Sequence, residues 1–170
     1  MRERVAVVAL LFGVAAAFAC GGSGDGLSME EYVEQVARAL RDTDARVEEI
    51  SEPLSEIGGA QPVDQQIEAA RTYLSDLVPI ADELAVTLRA IDAPSEAEEA
   101  HEALIAAWEG LRDRGQETLD VLEGAETQSQ LEGEFGQFLQ GSSADVFAAC
   151  RGLQDVVDGA GLAVDLACET

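Results

Sequence analysis

From Ser28 onward the apolar residues recur at alternating spacings of three and four, the period at which helices pack in a left-handed bundle. The first segment carries Val33, Val36, Leu40, Thr43, Val47, Ile50, Leu54 and Ile57 on one stripe. It opens on "LSMEEY", where Ser28 and Glu31 have the spacing of a capping box and Leu27 and Tyr32 stand at the two positions of a hydrophobic staple. Pro53 lies inside the segment, yet the stripe keeps its phase across it. A kinked rather than a broken helix is therefore expected, with Gly58-Gly59 as its stop.

The second segment begins with Pro62 at the first helical position and runs through Val63, Ile67, Ala70, Leu74, Leu77, Ala81, Leu84, Leu88 and Ile91, with Pro79 bending it near the middle. "DAPSE" ends it, and Ser95 with Glu98 forms a second capping-box pattern at the start of the third segment. That segment places Ala97, His101, Leu104, Trp108, Leu111, Gly115, Thr118 and Leu122 on its stripe, the poorest of the three seams. In the fourth, Leu131, Phe135 and Phe138 share a face before "QGSS" intervenes, and Val146, Ala149, Cys150, Leu153 and Val157 resume it. This pattern predicts a broken helix or two short ones, the second capped by Ser143, with "DGAG" as the stop and "LAVDLAC" as an irregular tail.

Helices of about 28 residues are roughly 40 Å long, and the short connections between them force antiparallel neighbours. The expected fold is all-α: an antiparallel up-down four-helix bundle over residues 28–170, with long kinked helices, the fourth one broken. Helical hairpins stacked as a repeat are the alternative.

Ahead of the bundle, Arg2 and Arg4 precede an apolar run from Val5 to Phe18, about fourteen residues where a membrane-spanning helix needs roughly 20. Residues 1–19 read as a signal peptide, and no second such run follows. Without them the chain holds 8 basic and 33 acidic residues, a formal charge of −25, and it contains no lysine. A surface this acidic repels phosphates, which excludes nucleic acid as a partner and also excludes attachment through anionic headgroups. A solvated acidic surface accounts for the charge, and no D-x-[DN]-x-[DN]-G loop points to calcium.

Candidate chemistry is thin. His101 is the single histidine, and Glu98-x-x-His101 has the spacing that di-iron carboxylate bundles use, but a second such motif has no histidine to build it. The alternatives for His101 are a partly exposed ring or a hydrogen bond to a neighbouring carboxylate. C-x-x-C-H haem attachment, a G-x-S-x-G elbow and a phosphate-cradling loop are absent from the sequence. With 33 acidic residues on helices, carboxylate pairs at catalytic spacing arise by chance and carry no weight. Small residues on the third seam leave one further possibility, a cavity walled by Trp108 with His101 as its polar contact. The opposing reading has Trp108 simply filling the space beside Gly115 and Ala97. No cofactor is implied.

The junction Ala17-Phe18-Ala19-Cys20 reads two ways, as an ordinary small-x-small cleavage site or as a bacterial lipobox. We favour the lipobox, because Cys20 follows the small Ala19 and the flexible tether "GGSGDG" comes straight after it. Together with "APSEAEEAHEALIAAW" and the "FAACRGLQDV" and "VDLAC" of the ending, the chain resembles small, high-GC bacterial lipoproteins that join a lipobox to a helical domain. The resemblance implies a diacylglycerol on Cys20, residues 20–27 as lipidated cysteine and tether, and a location on the extracytoplasmic side of a bacterial membrane. It implies no reaction.

With Cys20 carrying the lipid, an exported chain has Cys150 and Cys168 left in an oxidising setting, where a disulfide between them is the expected outcome. Eight helical residues from Cys150 to Asp158 advance about 12 Å, and the ten residues from Gly159 to Cys168 easily retrace that distance. Zinc lacks ligands, and this spacing is not the C-x-x-C of redox proteins. The leading functional expectation is a non-enzymatic, membrane-tethered module acting through an envelope protein partner. The alternative is a module that binds a small apolar ligand or a metal ion near His101 and Trp108.

Overall fold

A computed structural model describes residues 27–56 and 61–168. The expected signal peptide, Cys20 with the expected tether up to Gly26, Ile57 and the expected Gly58-Gly59 stop lie outside the described residues. Within them the chain forms four helices: α1 (Met29–Glu56), α2 (Val63–Arg89), α3 (Glu98–Leu122) and α4 (Gln128–Gly159). Pro53 and Pro79 both sit inside continuous helices, α1 and α2 respectively.

The start of α1 is made by the expected capping box. The Ser28 N–H donates to Glu31 Oε2 at 3.1 Å and the Glu31 N–H to Ser28 Oγ at 3.3 Å, so two orphan donors are satisfied reciprocally. The Ser28 hydroxyl, donating to Glu31 Oε2 at 2.7 Å, and the Ser28 N–H hold the pKa of the Glu31 carboxyl below its ordinary value. Tyr32 is fully buried and Leu27 packs against the same cluster, which completes the staple.

Two other helix starts differ from expectation. Pro62 is the residue before α2 rather than its first, with φ −55° and ψ 143°, and its carbonyl accepts from the N–H groups of Gln65 and Gln66. Ser95 makes no capping box with Glu98. Residues 95–97 form a turn in which the Ala97 N–H bonds the Pro94 carbonyl at 2.8 Å, and buried Ala97 becomes the cap of α3 without a side-chain acceptor. Burying the methyl of Ala97 fixes that register and leaves the Ser95 hydroxyl on Glu96 instead.

The break expected in α4 is absent: the helix runs unbroken for 32 residues through Gly141, Ser142 and Ser143. Its apolar face keeps phase there, because Phe138, Ser142, Val146 and Cys150 are four residues apart and Ser142 is buried, accepting from Arg114 Nε at 3.0 Å. Packing on both sides outweighs the modest helix penalty of Gly and Ser. The start of α4 is a capping box the sequence reading missed, Thr127 with Gln130. Its end is a Schellman turn: Gly161 adopts φ +74°, the Leu162 N–H reaches the Val157 carbonyl and the Gly161 N–H that of Asp158.

The core divides into two clusters, and their membership gives the topology. One joins Tyr32, Val33 and Val36 of α1 to Leu84 and Leu88 of α2, Leu104 of α3 with its cap residue Ala97, and Leu153 and Val157 of α4. The other takes Ile67 and Leu74 from α2, Leu111 and Leu122 from α3, and Leu131 and Phe138 from α4. Early α1 thus meets late α2, early α3 and late α4, as in an antiparallel up-down bundle. Helix α2 also buries Tyr73, Ile80 and Ala85 beyond its expected stripe, because it packs between α1 and α3.

Gly115 lets α3 approach its neighbours: a Cβ there would stand 3.1 Å from Val78 Cγ2 and 3.6 Å from the Phe138 ring. Gly141 on α4 faces open space. Gly115→Val should therefore lower the unfolding free energy by about 1–3 kcal/mol through overpacking. Gly141→Ala should raise it by about 0.5–1 kcal/mol through helix propensity. Urea denaturation of the two variants checks both signs.

Candidate functional site

The chemistry-bearing residues gather at the end of the bundle where α1 begins. His101, in the first turn of α3, is 5% exposed, and both ring nitrogens are engaged. Nε2 lies 3.0 Å from the carbonyl oxygen of Leu88, which only accepts, so Nε2 carries the proton. Nδ1 then accepts from the Tyr32 hydroxyl at 2.9 Å, and the two rings meet edge to face with centroids 5.4 Å apart. One imidazole thereby ties the first turn of α1 and the last turn of α2 to the first turn of α3.

Burial lowers the pKa of His101 from the ordinary 6.5, opposed by the Leu88 hydrogen bond and by the nearby Glu102 carboxylate. Burial also pushes the Tyr32 hydroxyl well above the usual tyrosine range. The site is thus a neutral imidazole beside a neutral phenol, with Nε2 protonated and the Nδ1 lone pair taken up by the Tyr32 hydroxyl. Glu98 is exposed and is not the partner of His101, so the Glu98-x-x-His101 spacing brings no ligand pair together.

The same end holds the bond between Cys150 and Cys168, with Cα atoms 5.5 Å apart. Gln154, one turn after Cys150, fixes the returning tail with its side-chain amide: Nε2 donates to the Val164 carbonyl at 2.9 Å and Oε1 accepts from the Leu166 N–H at 2.9 Å. Leu166 is buried in the first cluster, and Ala167 takes φ +54° with its N–H on Asp165 Oδ1, so that the chain turns toward Cys168. The sequence signalled the pair of cysteines but not Gln154, whose role depends on the path of an irregular segment.

Trp108 is half-buried and packs against both clusters, and its indole N–H is buried with no hydrogen-bond partner among the described residues. Beside it α1, α4 and the tail meet around a cleft of about 50 Å³, walled by Leu40, Asp44, Val146, Cys150 and Cys168. Small-molecule pockets are about 300–1,000 Å³, so this cleft is too small for the ligand cavity considered above. His101 and Glu98 are not among its walls. The space beside Gly115 is filled by Val78 and Phe138 rather than by Trp108.

Among the described residues no group of three or more His, Cys, Asp or Glu side chains is placed to hold a metal ion, and no helix is long and apolar enough to cross a membrane. The class of protein defined by fold and site is an all-α antiparallel four-helix bundle whose C-terminal tail is pinned by a disulfide. Comparison of the chain with protein-family models, curated proteins and solved structures gives no match.

Two expectations follow. Because the folded state disfavours the charged form of His101, its contribution to stability is present above the unfolded value of 6.5 and is lost as the pH falls below it. Denaturant unfolding between about pH 8 and about pH 5 should show the wild type losing more stability than His101→Gln; parallel profiles would refute the link. Replacing both Cys150 and Cys168 by Ser should lower the unfolding free energy by about 3 kcal/mol while helicity by circular dichroism is retained.

Proposed function

We propose that this chain is a lipid-anchored extracytoplasmic domain that works through protein contacts in the cell envelope, without catalysing a reaction. The observation that carries the reading is the Cys150–Cys168 disulfide, because such bonds persist in oxidising compartments and are rare in the cytosol. An exported chain then gives the third cysteine, Cys20 behind its apolar run, a use as the lipidation site. The absence of catalysis is argued from His101: the single imidazole that acid–base or nucleophilic chemistry would draw on already has both nitrogens committed to Leu88 and Tyr32.

Intact-mass analysis of the protein from membrane fractions should show a chain starting at Cys20 and carrying a diacylglyceryl group. Cys20→Ser should move the protein to the soluble fraction with its helical content unchanged. An unmodified, soluble wild type would rule out the anchor.

A further inference from the structure

The apolar stripe of α1 is covered unequally along its length. At the His101 end Tyr32, Val33, Val36 and Ala37 are buried, whereas Val47, Ile50 and Leu54 in the second half are only half-buried. The second core cluster takes its fully buried members from α2, α3 and α4, and α1 is represented there by those half-buried side chains alone. What results is an open groove of about 530 Å³ between late α1 and early α2. Ile50, Leu54 and Tyr73 form its apolar part and Glu49, Glu68 and Asp76 its acidic rim.

We propose that this groove docks a basic amphipathic helix of an envelope protein, an inference that rests on the protein-contact reading above and names its surface. A groove between two helices accepts a third through apolar side chains one turn apart, the helix-in-groove mode. Gln65 to Asp76 spans twelve residues of α2, about 16 Å from first to last, so roughly three turns of a partner fit.

The rim selects the sign of that partner. Glu49 and Asp76 have no ion-pair or hydrogen-bond partner among the described residues, and Glu68 has only Arg71 at 3.7 Å. A segment with Arg or Lys flanking its apolar stripe supplies the missing charge, and an acidic one is repelled. Position is compatible with an anchor at Cys20: Ile50 lies 21 residues along α1 from Met29, about 30 Å from the start of that helix.

The test uses the mature lipidated chain in detergent and a model helix of about fourteen residues, Leu on one face and Arg on its flanks, with a scramble of the same composition as control. The proposal expects saturable binding of the helix but not the scramble, with hydrogen-exchange protection confined to late α1 and early α2. Affinity should fall about tenfold or more in Ile50→Asp and in the exposed rim pair Glu49→Lys with Asp76→Lys. Equal binding of the scramble, or affinity unchanged in the rim pair, overturns it.

A photo-crosslinking residue placed in living cells at position 49, or at position 148 on the outer face of α4, separates this proposal from the reading beneath it. A crosslink from 49 to an Arg- or Lys-rich amphipathic segment supports both. Crosslinks from 148 alone overturn the groove and leave the protein-contact reading standing, and none from either position overturns both.

Discussion

A buried imidazole must place both nitrogens against partners or lose the hydration it gave up, at about 1–3 kcal/mol for each unsatisfied group. In this bundle the partners come from two other helices, Tyr32 of α1 and the Leu88 carbonyl of α2, so the requirement acts on the relative placement of three helices at once. A slip of one turn in any of them would strand the ring. The apolar residues of the cluster at this end, Val36, Leu84 and Leu104 among them, supply burial and shape but make no directional bond. The directional bonds of His101 select one register among those that burial alone would allow.

The remaining helix is held at this end by a different device. Cys150 and Gln154 pin the tail, and Leu166 on that tail enters the same cluster that His101 organises. Elsewhere the bundle contends with its charge of −24. Four of the arginines lie across helix seams: Arg46 on Glu83, Arg89 on Glu109, Arg112 on Asp82 and Arg114 on Asp145. Exposed pairs of this kind contribute only about 0–1 kcal/mol each. Their significance here is placement, since each puts a positive charge between two acidic helices where repulsion is greatest.

The stripes of all four helices were legible in the sequence because apolar periodicity reports burial directly. The tail's bridge was legible because the cysteine spacing and the reach of the chain between them are one-dimensional quantities. What escaped were decisions made by distant partners. Tyr32 is 69 residues from His101, so spacing suggested Glu98, three residues away, which the structure leaves exposed. "QGSS" read as a break because Ser142 was judged by its propensity, while Arg114 of α3 gives its hydroxyl a buried partner. Ser95 satisfied a capping pattern, and the burial of Ala97 overrode it. Tyr73, Ile80 and Ala85 fall outside the α2 stripe and are buried all the same, because a helix with neighbours on more than one side has no single buried face.

The two ends of the molecule are therefore fastened unequally, and the difference bears on function. The hydrogen-bonded ring, the disulfide and the Gln154 amide all sit where α1 begins and α4 ends. At the opposite end α1 is only half-covered, and the polar ties between helices there include a Ser51–Tyr73 side-chain hydrogen bond and the Gln128–Gln66 amide pair. Local opening draws on the regions with fewest buried contacts, so late α1 is the part of the bundle that can shift at least cost to accept another surface. On the docking reading proposed above, adaptability would lie where the partner helix is received, while the His101 ring and the disulfide keep the other end of the bundle fixed as late α1 moves.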